Sequence, residues 1–224
     1  MTNTSFDAVR VKDVVRRHWA ARAADFDTGA THGLLSAAQR EAWQARLRAW
    51  SGAQALDVLD VGCGTGFLAL QLAALGHRAF GVDLADEMLE LARRKAAAAG
   101  LAAHFEIGDA ERLPGADASF DLVIERHVIW TLPEPEVALR EWARVLRIGG
   151  RAVLIEGDWR GGASNPDYAE IVEALPLYGG RPAAELQPQV EAAGFTRITV
   201  EPLMDAALWG SQPDRDRYAV IATR

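Results

Sequence analysis

The sequence predicts an α/β protein: a doubly wound, mostly parallel sheet of seven strands, closed by a C-terminal antiparallel hairpin and preceded by a helical segment. Three observations predict it. Short apolar runs alternate with stretches of helical spacing from residue 55 to residue 193, the pattern of parallel strands joined by helical crossovers. A glycine cluster, Gly62, Gly64 and Gly66, marks the junction of the first such strand with its helix. The last two strand patterns follow one another with no helical spacing between them, so they should pair antiparallel.

Ahead of the sheet, residues 9–24 and 36–50 read as helices joined by residues 28–33, and the whole stretch 1–50 is expected to form a helical lid. Residues 55–61 form the first strand, apolar except at Asp57 and Asp60, and the helix over 67–75 follows the glycines. A strand over 78–82, a helix over 85–99 stopped by Gly100 and a short strand over 104–107 come next. Residues 120–125 are a buried strand, and 135–146 a helix with Pro135 in its first turn. Gly149 and Gly150 then stop the chain before the strand over 151–156. Residues 160–181 lack a clear pattern and are expected to cap the site; a helix over 182–193 ends at Gly194, and strands over 195–202 and 217–222 complete the sheet.

With 224 residues, 50% of them hydrophobic, the chain suffices for one substantial core, and we expect a single domain over 1–224. A formal net charge of -7 repels phosphate backbones, which argues against nucleic acid as partner. The longest basic cluster, Arg93 to Lys95, lies on a helical pattern beside Glu87 and Glu90 and reads as a solvated face. Cys63 is the single cysteine, and no Cys or His spacing matches a zinc site, so no metal is expected. No apolar run approaches the roughly 20 residues that span a bilayer. A cytoplasmic protein with no membrane contact is the expectation, and a homodimer is left open.

The glycine turn is where chemistry begins. In an open parallel sheet, ligands bind at the carboxyl ends of the strands near the topological switch point. The turn Gly62-Cys63-Gly64-Thr65-Gly66 has the spacing G-x-G-x-G. A dinucleotide fingerprint needs its third glycine at position 67, where Phe67 stands, and no Lys followed by Ser or Thr closes a P-loop.

Residues 58–66 resemble motif I of the class I S-adenosylmethionine (SAM)-dependent methyltransferases. Further features keep the same order: Gly81-Val82-Asp83-Leu84, Gly108-Asp109-Ala110, Leu113-Pro114, Phe120-Asp121-Leu122-Val123, and Arg140 to Gly150 before the fifth strand. The segment His18 to Asp27 is similar to the opening of small bacterial methyltransferases that act on metabolites. What the resemblance implies is a Rossmann-like sheet and a single cofactor, SAM.

The resemblance also implies a cofactor site. Gly62, Gly64 and Gly66 let the ligand approach the backbone, and Cys63 contributes its backbone while its thiol stays inert. Asp83 accepts both ribose hydroxyls, Asp109 faces the adenine amine with the Ala110 amide as donor, and Leu84 contacts the adenine face. Met88 is shared between that contact and the core. Asp60 sits near the methionine amino group, Arg126 contacts the SAM carboxylate or an acidic acceptor, and Trp19 covers SAM or the acceptor or packs its helix. His127 and His32 are the candidate bases for an acceptor that must lose a proton. Trp130 and Trp159, at the strand ends, suit a flat aromatic or heteroaromatic acceptor. The expected reaction is methyl transfer to N, O, S or C of a small metabolite. The alternative is a SAM-binding protein of this type with non-methylating chemistry or a non-catalytic partner role.

Overall fold

Asp7 and Ser36 each start a helix: their side chains accept the backbone N–H of Val9 and Gln39, capping α1 (Ala8–Arg22) and α2 (Ala37–Ser51). The computed structural model describes residues 7–29, 31–161 and 166–224. α1 does not stop at residue 24 but tightens into a 3₁₀ stretch, Ala23–Thr28, that leads to the joint before α2.

The strands are β1 (Asp57–Val61), β2 (Arg78–Asp83), β3 (Ala103–Ile107), β4 (Phe120–Arg126), β5 (Leu146–Gly157), β6 (Thr196–Pro202) and β7 (Arg217–Thr223). They form one seven-stranded sheet in the order β3-β2-β1-β4-β5-β7-β6. β1 to β5 pair in parallel, while β7 lies antiparallel to both β5 and β6. The order reverses between β1 and β4, which is the switch point. Helices α3 (Phe67–Ala74), α4 (Asp86–Ala99), α5 (Pro135–Val145) and α6 (Ala183–Ala192) provide the crossovers. Among the described residues no helix is long and apolar enough to cross a membrane.

Alternation along the strands sends side chains to two cores. Val58, Leu122, Ile124 and Val153 face α2 and α3, meeting Trp43, Leu47, Phe67 and Leu68. Leu59, Val61, Val123 and Leu154 face α5 and α6, meeting Trp142, Val145 and Val190.

Three expectations need correction. Gly149 and Gly150 lie inside β5 and do not stop the chain before it. Leu146 already pairs with Phe120, the register then jumps to Leu122 opposite Arg151, and Arg224 brackets the glycines by bonding Gly149 N–H and Gly150 C=O. Between β6 and β7 a short helix, α7 (Ala206–Trp209), is capped by Asp205. It receives α2: the Trp43 and Gln39 side chains donate to the Leu208 carbonyl, and Trp43 and Trp209 meet edge to face at 5.2 Å. α2 is therefore core, which leaves α1 and the joint as the candidates for the expected lid. His77, just ahead of β2, is buried and accepts the Leu56 N–H at 3.3 Å.

Candidate active site

Gly62, Gly64 and Gly66 all have positive φ, +61°, +53° and +83°. At Gly62 a Cβ would also run into the Val128 side chain, so the first glycine is required by conformation and by packing together. Gly66 is the N-cap of α3 and stands behind the turn. Asp83, at the end of β2, accepts the Gly64 N–H at 2.8 Å and the Ala85 N–H at 2.9 Å, which clamps the turn to the neighbouring strand. Burial raises its carboxyl above the usual range. Two accepted bonds leave lone pairs on both oxygens for further donors.

Above these strand ends lies a cavity of about 380 Å³. Of the residues singled out in the sequence, Trp19, His32, Gly62, Gly64, Asp83, Leu84, Met88, Ala110, Arg126 and His127 line it. Met88 is 1% exposed, so it serves cavity and core alike.

Four of the singled-out residues are placed elsewhere. Asp60 shares the face of Val58, and so points to α3, where it accepts the N–H of Ala69 at 2.9 Å in place of a side-chain cap. Burial pushes its carboxyl up to about 7. Cys63 is buried against Gly81, its N–H bonds the Val82 carbonyl, and burial raises the thiol, so it is inert. Gly66 borders a separate cavity beside α3. Asp109 turns from the cavity to Lys12 of α1 at 2.7 Å and accepts the Glu111 N–H.

Arg126 also departs from its expected use. As the last residue of β4 on the face of Leu122 and Ile124, it lies on the Phe67 ring at 3.6 Å and donates to the carbonyls of Thr31 and His32. Its guanidinium fastens the joint to the sheet. Burial lowers it to about 9.

His127 has a φ of +61°, uncommon for a residue with a Cβ. Its ring stacks on Trp209 at 5.7 Å and meets Trp159 at 4.7 Å, and its buried Nε2 has no partner among the described residues. Burial, then Arg126 and Arg217, hold it well below its ordinary pKa, so it is a neutral imidazole. His32 stacks flat on Phe26 at 4.4 Å and is lowered to about 4, mainly by burial.

The end of the 3₁₀ stretch is drawn down onto the glycine turn by several contacts. Asp27 accepts Thr65 Oγ1 at 2.5 Å and Lys95 at 2.8 Å, and Phe26 lies over Gly64. Lys95, read as part of a solvated basic face, is thus a latch. Of the expected cap, residues 162–165 lie outside the described residues, as does Ala30 of the joint. Tyr168 and Tyr178 stand behind Trp130, at 5.9 and 5.8 Å, and do not line the cavity. Tyr168, Ile171 and Leu175 pack on Val11, Val14 and Val15 of α1.

Phe26, Asp27, Val128 and Arg217 were not assigned from sequence. The Phe26-Asp27 pair was within reach, since it ends the second stretch of resemblance. Arg217 carried no signal: in a sequence it is an ordinary polar residue at the start of a strand.

Comparison with known proteins gives the following. A family profile described as a methyltransferase domain matches residues 59–154. A ubiquinone/menaquinone biosynthesis C-methyltransferase of Bdellovibrio bacteriovorus is 37% identical over 147 residues, which cover 64% of this chain and 62% of that one. The chain thus spans less than two thirds of that relative. A solved structure described as "Conversion of a Disulfide Bond into a Thioacetal Group during Echinomycin Biosynthesis" is 31% identical with a TM-score of 0.59, covering 81% of each chain. The [4+2]-cyclase SpnF shares the fold, with a TM-score of 0.73 at 20% identity over 94% of both chains.

Proposed function

The chain belongs to the class I SAM-dependent methyltransferases, and from that premise we propose that it transfers the methyl group of SAM to a nucleophilic atom of a small, flat acceptor. The observation that carries this reading is the glycine turn held open by Asp83 at the floor of the cavity. A bound SAM supplies an electrophilic methyl, leaving as S-adenosylhomocysteine. The chain's own task is placement, because bringing the reacting atoms into line removes much of the barrier.

In this reading Asp83 keeps free lone pairs for the ribose hydroxyls, Leu84, Met88 and Ala110 line the adenine end, and Trp19 with Phe26 closes over the turn. The acceptor takes the opposite end, among His127, Trp130 and Trp159. His127 is the proposed proton acceptor, being neutral with Nε2 unpartnered; His32 is the second candidate. The whole chain is read as one catalytic unit, with α1 and the joint as its lid, working in the cytoplasm. Its likeness in fold to a cyclase keeps SAM-binding with other chemistry as the second reading.

Calorimetric titration with SAM, S-adenosylhomocysteine and NAD tests the cofactor. We expect micromolar binding of the two adenosyl ligands and none of NAD. Asp83→Asn should weaken S-adenosylhomocysteine binding by about 1 to 3 kcal/mol, the cost of losing charge-assisted bonds to the ribose. An unaltered affinity would remove Asp83 from the site.

A further inference from the structure

Arg217 is the first residue of β7 and stands opposite Gly157 at the end of β5. Strand β7 is three places from β1 in the sheet, roughly 14 Å at the usual strand spacing. Its side chain lines the same cavity as the glycine turn, but from the far end. The guanidinium lies over the Trp209 ring at 4.2 Å. Among the described residues its buried Nε has no hydrogen-bond partner and its guanidinium makes no ion pair. The residues outside that set include no Asp or Glu.

The other arginines of this wall are engaged: Arg126 with the Thr31 and His32 carbonyls, Arg16 with Asp13. Arg217 faces Arg126 and the neutral rings of His127 and His32; the carboxylate among the lining residues, Asp83, is at the glycine-turn end and is bonded to the Gly64 and Ala85 N–H groups. Asp214, the acidic group that acts on it through space, is exposed and beyond ion-pair distance. A half-buried guanidinium with unused donors is completed by a planar oxyanion that accepts two parallel N–H bonds. The walls next to it, Trp159 and His127, are flat rings.

We propose that this end of the cavity is an oxyanion subsite in which Arg217 holds a carboxylate carried by an aromatic methyl acceptor. The proposal rests on the methyl-transfer reading and narrows its substrate class. Burial lowers the Arg217 pKa, which an incoming carboxylate would reverse.

The test is titration of S-adenosylhomocysteine-loaded protein with benzoate, salicylate and 3,4-dihydroxybenzoate, each against its amide. At least one acid should bind tenfold or more tightly than its amide. Arg217→Met should abolish that preference while S-adenosylhomocysteine affinity stays as it was. Arg217→Lys, which keeps the charge without the planar fork and preserves more of the packing on Trp209, should retain only part of it. Equal binding of acids and amides, no binding of any acid, or a preference that persists undiminished in both variants would overturn the proposal. Failure of the unaltered protein to bind S-adenosylhomocysteine would instead remove the cofactor reading beneath it.

Discussion

At the scale of single residues, position along a strand decides which side chains meet the ligand space. The place of Asp83 beside the glycine turn was legible, because it ends the strand that follows the turn's own βα unit. Arg126 was half legible: its place at the strand end was clear, but alternation sends it to Phe67 and the joint. Gly62 gives the sharpest test. Gly62→Ala should cost about 2 to 4 kcal/mol in urea denaturation, from the positive φ and from overpacking on Val128. Adding Val128→Ala should recover the packing share and leave the conformational share. Full recovery, or none, would show that one of the two causes is absent.

Among the elements, α1 and α2 look alike in sequence and behave differently. α2 buries Trp43, Leu47 and Trp50 against the sheet and α7, whereas α1 meets residues 167–175 through an apolar strip and ion pairs such as Arg22 with Asp167. The joint after α1 is held by Asp27, Lys95, Thr65 and Arg126. A broad-specificity protease should therefore nick residues 28–33 before α2, SAM should slow the nicking, and Asp27→Ala should speed it. Cleavage that ignores both SAM and Asp27→Ala would deny the joint a gating role. Helical spacing alone could not separate the two helices, because amphipathicity reports that a face is buried and not what buries it.

For the molecule as a whole, the two cores bury titratable groups that set its response to pH. Glu125 of β4 and Glu156 of β5 point to the same face and are 0% and 1% exposed. Burial is the main cause raising both: Glu125 to about 8, and Glu156 well above its ordinary range with Glu125 facing it. Between the ordinary 4.5 and about 8, the folded state keeps protons that the unfolded chain has released. Stability from this pair is fully present below that window and is lost as pH rises through it. His32, lowered to about 4, acts oppositely: its share is present above 6.5 and lost as pH falls. From pH 6.5 to 8 the glutamates dominate, and stability should fall as pH rises. The Glu125→Gln, Glu156→Gln double variant should flatten that fall in urea denaturation at the two pH values. An undiminished slope would assign it to other groups.

The sequence by itself determined the seven strands, their crossovers, the antiparallel end and the glycine turn with Asp83, because periodicity and turn geometry are local. Only the tertiary structure decided that β7 sits between β5 and β6, which brings Arg217 to the far end of the same cavity as Gly62. It alone turned Asp60, Cys63 and Asp109 away from the cavity and left Glu125 beside Glu156. Such neighbours are far apart along the chain, and their meeting is fixed by strand order and side-chain direction, which no local pattern encodes.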